Sequence, residues 1–222
     1  MRKELNYFYI DGEYGGDQDW FRDPMMKLGG CGAATAMDSS ICFDRYKGTE
    51  ISPLDVHNLT RKDYVKFSKV MKPYLSPRWS GINRLDIYID GYGKYLRDRG
   101  EHRITMTELP GRTPEAAAFD AVKRQIDGGY VIPALVLFHR NPAMRDYVWH
   151  WFIVNGYEEG ERNGKKEARI RTATYGDSEW VDFHTFWDTG YDEKGGMVLY
   201  HLARVVHGGQ EVYHGRTTEE DH

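Results

Sequence analysis

The sequence predicts an α+β fold, because helix-type patterns come first along the chain and strand-type patterns second. Residues 31–126 are dominated by capped or amphipathic segments, whereas residues 131–205 carry short apolar runs separated by turn residues. Segregation of helices and strands along the chain is typical of α+β domains. The 222 residues suit one domain with a sizeable core, and aromatic residues, 14% of the chain, can fill it or line a cleft.

Four helices are predicted in the first half by capping residues and helical apolar spacing. Thr60 caps the second helix, and Thr113 followed by Pro114 begins the fourth. A short fifth helix is expected over 181–187. The four predicted helices span residues 31–46, 61–71, 81–98 and 114–126.

Four strands are predicted in the second half from apolar runs bounded by turn residues. The polar segment between Glu158 and Glu167 contains glycines and predicts a hairpin that turns near Asn163. The predicted strands span residues 131–138, 147–156, 168–175 and 197–205. We therefore expect a single domain over 1–222, with a mainly helical lobe (8–130), a mainly β lobe (131–206) and a mobile tail (207–222).

Composition and charge narrow the classes of partner. The net charge of −4 gives no electrostatic support for nucleic-acid binding, and no block rich in lysine and arginine alternates with aromatic residues. No apolar run approaches a membrane span, and residues 1–6 are polar where a signal peptide would be apolar. We expect a cytoplasmic protein without nucleic-acid or membrane partners, with secretion of a longer precursor and the oligomeric state left open.

Two cysteines, Cys31 and Cys42, lie eleven residues apart in one predicted helix. The helical rise separates them by about 16 Å, too far for a disulfide. Two cysteines that cannot form a disulfide suit a reducing compartment. We expect Cys42 to belong to the core.

Cys31 follows two glycines at the start of a predicted helix, in the run GGCGAATAM at 29–37. A free cysteine taken alone is more often a small buried hydrophobe than a nucleophile. At a helix start, however, the N–H groups without helical partners and the positive end of the helix dipole favour the thiolate. Cys31 is therefore a candidate nucleophile.

His150 is the one side chain in the predicted strand YVWHWFIVN that titrates near neutral pH, and it is a candidate base. Folding the hairpin near Asn163 sets His150 opposite Gly176, so that Asp177 is expected to reach the imidazole. Cysteine, histidine and a carboxylate in this order are the nucleophile, base and orienting group of thiol catalysis. The plain alternatives are a core histidine and a turn-stabilising aspartate.

These motifs resemble the papain-like cysteine peptidases, and most of all the branch of bacteriocin-processing peptidases that cleave double-glycine leaders. GGCGAATAM at 29–37 is similar to the nucleophile helix, and HWFIVNGY at 150–157 to the histidine strand. TYGD at 174–177 is a weaker match, because that branch usually carries Asp-Pro where Ser178 follows Asp177 here. The resemblance covers about residues 8–205 and implies a helical lobe carrying Cys31 that faces, across a cleft, a sheet lobe carrying His150 and Asp177.

The same resemblance implies an oxyanion-hole glutamine upstream of the cysteine. Gln18 is the only glutamine before Cys31 and lies in the polar segment GGDQDW at 15–20. The gap of thirteen residues is longer than in the bacteriocin-processing enzymes. Gln18 is accordingly the candidate oxyanion residue.

No metal or cofactor is expected, because the nine histidines show no HExxH pair or other compact ligand spacing. The expected function is that of a cysteine peptidase that acts on a peptide or protein through a Cys31 thioester. Acyl transfer or amide hydrolysis by the same chemistry stays open, as does an inactive peptide-binding module. Leader cleavage after two glycines is an analogy only, since this chain shows no transporter segment.

Overall fold

A computed structural model describes residues 1–204; the tail expected over 207–222 lies outside the described residues. Two short 3-10 helices, Gln18–Trp20 and Pro142–Tyr147, accompany the main elements. In chain order these are β1 (Arg2–Glu4), β2 (Tyr9–Ile10), β3 (Glu13–Tyr14), α1 (Pro24–Gly29), α2 (Cys31–Lys47), α3 (Arg61–Met71), α4 (Leu85–Asp98), β4 (Ile104–Pro110), α5 (Glu115–Asp127), β5 (Ile132–Val136), β6 (His150–Arg162), β7 (Lys165–Thr174), β8 (Asp177–Asp182), α6 (Phe183–Trp187) and β9 (Gly196–Leu202).

Seven strands form one antiparallel sheet, which confirms the α+β class. The strand order is β4-β9-β5-β6-β7-β8, with β1 paired to β6, while β2 and β3 form a separate hairpin. Along one edge of β6, β5 pairs as far as Val154 and β1 pairs from Gly156 onward, so these two strands lie end to end. β7 occupies the other edge of β6. This arrangement makes β6 the central strand.

Helices cover both faces of the sheet. Trp151 and Ile153 on β6 pack into the core beneath α2, α3 and α4, whereas Phe152 and Val154 pack into a second core with α5 and α6. Alternate residues of a strand point to opposite faces, so a strand covered on both sides is apolar throughout. All five residues of β5 are buried for this reason.

The predicted helices are confirmed with shifted ends. The second begins as predicted at Arg61, where the Thr60 hydroxyl accepts from the Asp63 N–H. The fourth begins at Glu115, with Pro114 in the cap position and no side-chain cap. In the region of the expected helix 181–187, β8 runs to Asp182, whose carboxylate caps α6.

The strands differ from expectation mainly in which parts of the chain supply them. The predicted hairpin near Asn163 is confirmed. The sheet, however, also takes β4 from the lobe expected to be mainly helical, and β1 from the residues that precede that lobe. β4 lies at the sheet edge with several exposed residues, so its apolar pattern is weak. β6 begins at His150 rather than at 147, because the preceding residues form a 3-10 helix.

Polar residues in the middle of α2 are satisfied by tyrosine hydroxyls from neighbouring elements. Ser40 Oγ lies 2.9 Å from Tyr92 Oη, and Tyr200 Oη donates to Ser39 Oγ at 3.0 Å. Cys42 is buried in the same helix, as expected. α2 is thus a central helix with polar groups paired inside the core.

Within residues 1–204, no helix combines the length and the apolar character needed to cross a membrane.

Candidate active site

Cys31 is the first residue of α2, directly after a sharp junction with α1. Gly30 occupies the cap position without a side-chain cap. A Cβ at Gly30 would lie 2.3 Å from the Met26 carbonyl oxygen, so the junction requires glycine there. The local sequence therefore sets a thiol at a helix start whose N–H groups receive no side-chain partner from the cap residue.

Packing of the first turn of α2 brings Cys31 to the beginning of β6. A Cβ at Gly32 would lie 3.1 Å from Ile82 and 3.6 Å from Trp151, so only a small residue lets the helix start approach this strand closely. The Trp151 indole N–H donates to the Ile82 carbonyl at 2.6 Å and fixes this corner. The backbone N–H groups of Trp151, Gly32 and Cys31 face the Cys31 sulfur and lower the pKa of the thiol.

Cys31, His150 and Gln18 line the same cavity, which has a volume of about 300 Å³. A smaller adjoining space of about 20 Å³ has the same three residues in its wall, together with Trp151 and Tyr175. The structure therefore brings together three of the four residues that the sequence singles out.

The imidazole of His150 is buried and held by two consecutive residues of the β7–β8 corner. Its Nε2 lies 2.7 Å from Thr174 Oγ1. The Tyr175 ring stacks on the imidazole with centroids 4.7 Å apart and planes 6° apart. The Tyr175 hydroxyl lies 3.5 Å from Nδ1, which in parallel rings is a weak contact above the ring plane.

The structure does not bring Asp177 to the imidazole. β7 turns at Tyr175 and Gly176, and Thr174 pairs with Asp177 across that turn. β8 therefore returns along the edge of β7 that faces away from β6. The Asp177 side chain is exposed and accepts from the Ser178 N–H at 2.7 Å. The group beside His150 Nε2 is the neutral hydroxyl of Thr174. Thr174 lies in the TYGD motif, but no role for it is predicted from the sequence.

Gln18 is buried in the 3-10 helix that follows the Gly15-Gly16 loop. Its Nε2 donates to the Lys27 carbonyl at 3.1 Å, which ties the side chain to α1 just before Cys31. An amide nitrogen has two hydrogens, so this bond leaves a second one for another acceptor. Gln18 is thus anchored at the cavity with donor capacity remaining.

Asp38 is a buried acid on α2 that the sequence reasoning missed. Its carboxylate accepts from Tyr7 Oη at 2.8 Å, Tyr64 Oη at 2.7 Å and the Gly16 N–H at 3.2 Å. A Cβ at Gly16 would lie 1.9 Å from Tyr64 Oη, so this close approach also requires glycine. Asp38 thereby fixes the loop that carries Gln18. The available signal was an acid among small and apolar residues in a central helix.

Burial dominates the electrostatics of the site. It raises the pKa of the Cys31 thiol more than the facing N–H groups lower it. It also lowers the pKa of His150 to about 4 and raises that of Asp38 to about 6, despite the three hydrogen bonds to this carboxylate. Among residues 1–204 no hydrogen bond joins the Cys31 sulfur to the imidazole. Both shifts favour the neutral forms, a thiol and an unprotonated imidazole, over an ion pair.

The outer wall of the cavity is largely apolar. Leu28 and Trp79 are highly exposed at its rim, and Trp149 is partly exposed. Trp20 lies elsewhere, packed edge-on against Tyr64. Among residues 1–204, Arg78 is the one charged residue that lines this cavity. The wall suits an uncharged or apolar segment of a substrate.

Residues 1–204 contain no cluster of three or more histidine, cysteine, aspartate or glutamate side chains placed to hold a metal ion. Comparison of the chain with protein-family models, curated proteins and solved structures finds no match.

Proposed function

We propose that this protein is a papain-like cysteine hydrolase that cleaves a peptide or amide bond through Cys31. The supporting observation is the Cys31 thiol at a helix start, facing the Trp151 N–H and sharing one cavity with His150 and Gln18. The chain order of these groups and the helix–strand packing agree with the resemblance to papain-like peptidases. On the strength of that resemblance, the proposal includes a papain-like architecture.

In the proposed reaction, the Cys31 sulfur attacks the substrate carbonyl carbon while the thiol proton passes to His150 Nδ1. Contact of Nε2 with Thr174 leaves Nδ1 as the proton acceptor. The scheme requires Nδ1 to face Cys31, with which His150 shares the cavity. The proton then passes to the leaving amine, and a thioester forms. Water releases the acid product by the reverse sequence.

A neutral pair fits this scheme because proton transfer accompanies attack. His150 is unprotonated at neutral pH, since burial lowers its pKa to about 4. The Gln18 amide, held by the Lys27 carbonyl, would donate to the developing oxyanion. An amine in place of water would give acyl transfer with the same residues.

A peptide-binding module without catalysis is the second candidate. It is favoured by the raised pKa of Cys31 and by the lack of a hydrogen bond between its sulfur and His150 within residues 1–204. Catalytic hydrogen bonds are often long before substrate binds and shorten in the substrate complex, so the same geometry also fits a hydrolase without substrate.

Alkylation of the native protein by iodoacetamide separates these candidates. We expect Cys31 to label at pH 7 and His150→Ala to slow the labelling at least about tenfold, as lost general-base assistance requires. His201→Ala is the matched control, because His201 is exposed on β9. Labelling that is absent, or equally fast in the His150 variant, would contradict the hydrolase.

Peptide cleavage then tests the reaction itself. Wild-type protein, Cys31→Ala and Cys42→Ala are incubated with a mixed peptide library, and mass spectrometry identifies new termini. New termini with the wild type and Cys42→Ala, but not with Cys31→Ala, support hydrolysis. Peptides retained without cleavage by all three proteins would favour the binding module.

A further inference from the structure

The backbone at the β7–β8 corner is strained where it meets His150. Within residues 1–204, four residues other than glycine have positive φ: Asp11, Trp149, Asn163 and Tyr175. Aspartate and asparagine tolerate this conformation, whereas bulky aromatic residues do not. The two aromatic residues of this set both adjoin His150. Trp149 precedes it in the chain, and Tyr175 stacks on it.

Three hairpin turns of the described chain allow a direct comparison. Each has two central residues at positive φ with glycine second, and the first residue has φ of +49° at Asp11, +53° at Asn163 and +51° at Tyr175. Such turns favour asparagine, aspartate or glycine at the first position. Two turns follow the rule, and the one beside the candidate site breaks it.

The side chain of Tyr175 accounts for the exception. Its ring is parallel to the imidazole and lines both spaces next to Cys31. Thr174 holds the imidazole edge at Nε2 while Tyr175 covers its face. The two residues at this turn thereby hold the imidazole ring of His150 at its edge and on its face. Strain that persists beside a candidate site points to a role there.

We propose that Tyr175 is a positioning residue: its ring, held over His150 by the strained turn, shields the imidazole from water and keeps Nδ1 directed toward Cys31. This inference rests on the proposed function, and it specifies what holds the base. The aromatic ring of Tyr175 has this role rather than its hydroxyl, because the contact of the hydroxyl with Nδ1 is weak.

Within residues 1–204, few charged or titratable groups lie near the imidazole. The Cys31 thiol on α2 and the Tyr175 phenol line both spaces with it, while Asp38 lines the smaller space and Arg78 the larger. Asp17, Asp19 and Asp146 are more distant and affect the pKa of the phenol after burial and Cys31. The pKa of His150 itself is lowered by burial. Removal of the covering ring is therefore expected to act through solvation of the imidazole.

The test compares Tyr175→Asn with Tyr175→Phe. Asparagine suits the turn, so we expect a higher melting temperature, a His150 pKa at least one unit higher by NMR titration, and Cys31 alkylation at least tenfold slower at pH 7. Phenylalanine keeps the ring, so its His150 pKa and alkylation rate should match the wild type. Asn163→Tyr introduces the same turn strain far from the site and should lower the melting temperature without changing the His150 pKa.

An unchanged His150 pKa and alkylation rate in Tyr175→Asn would overturn the inference even if His150 assists Cys31. An altered pKa in Tyr175→Phe would also overturn it, because the hydroxyl would then be responsible. The proposed function fails separately, if His150→Ala leaves alkylation unchanged. The NMR titration and melting temperatures still test whether Tyr175 shields the imidazole, since neither depends on catalysis.

Discussion

The beginning of α2 and its interior each carry a cysteine, in contrasting surroundings. Cys31 is partly exposed at a cavity, and backbone N–H groups lower the pKa of its thiol against the effect of burial. Cys42 is buried, and the nearby Asp38 raises the pKa of its thiol further. The same residue type in one helix is thus a candidate nucleophile at the first position and a core residue eleven positions later. Position at the helix start, rather than the thiol alone, is what makes Cys31 the candidate.

The two regions also depend on each other. Asp38 lies between the cysteines and binds the Gly16 N–H, which fixes the loop carrying Gln18 to the body of α2. The helix interior therefore supports the site that the helix start presents. The predictions below test this division of roles between the start and the interior of α2, in order of decreasing expected effect.

The largest contrast is expected between Cys31→Ala and Cys42→Ala. Loss of the nucleophile should lower peptide cleavage by about 10³-fold or more. Cys42→Ala should keep wild-type activity and lower the free energy of unfolding by about 1 kcal/mol, because it leaves a small cavity in the core. Cleavage assays and urea denaturation measure the two effects. Loss of activity in the Cys42 variant at full stability would break the contrast.

Asp38→Ala should lower the free energy of unfolding by about 3 kcal/mol. It leaves the hydroxyls of Tyr7 and Tyr64 and the Gly16 N–H in the interior without their acceptor. Asp120→Ala on the exposed face of α5 is the control, with an expected change below about 0.5 kcal/mol. Equal denaturation midpoints for the two variants would show that Asp38 does not stabilise the fold through these hydrogen bonds.

Asp38 should make stability fall as pH rises from about 4 to 6. Its folded pKa of about 6 lies above the unfolded value near 3.9, so the folded state binds more protons in this window. The contribution is complete below pH 4 and decreases by roughly 3 kcal/mol on passing pH 6. In Asp38→Asn the free energy of unfolding should lack this decrease. Parallel pH profiles for the two proteins would contradict the raised pKa.

His150 should have the opposite effect between about pH 4 and 6.5. Its folded pKa of about 4 lies below the unfolded value near 6.5, so the unfolded state binds more protons there. Stability from neutral His150 is complete above pH 6.5 and is lost as pH falls, by roughly 3 kcal/mol. Denaturation of His150→Gln at several pH values should show no such loss. A difference from the wild type that is constant with pH would argue against the burial effect.

The smallest effect concerns the partner of the imidazole. Thr174→Val removes the hydroxyl beside Nε2 and should slow Cys31 alkylation about tenfold, the effect of roughly one hydrogen bond. Asp177→Asn should change the rate less than about twofold, because Asp177 is exposed and bonds to Ser178. The reverse ranking would restore Asp177 as the orienting group.

Local sequence rules account for helices α2 to α5, for the central hairpin and for the place of Cys31 at a helix start, whereas α1, β1, β4 and β8 were not predicted. Glycines mark the start of α2, Thr60 caps α3, and the Asn163-Gly164 pair turns the central hairpin. These are short-range effects of backbone freedom and capping, so they can be read from a few neighbouring residues. The glycines before Cys31 and the apolar run around His150 are likewise features of neighbouring residues.

Strand pairing and close packing decided what local rules could not. Thr174 lies beside His150 because β7 pairs with β6, whereas β8 pairs with the far edge of β7 and carries Asp177 away. Asp38 reaches Gly16 and two tyrosines because α2 packs beneath a loop more than twenty residues earlier. Tyr175 occupies a turn position that its own residue type disfavours, since contact with His150 comes only from the folded sheet. Neighbouring residues alone set helices α2 to α5, the central hairpin and the place of Cys31 at a helix start, because capping and backbone freedom act over short range. Contacts that form only in the folded structure set which groups hold the His150 imidazole and the Gln18 loop, because those contacts join residues distant in sequence.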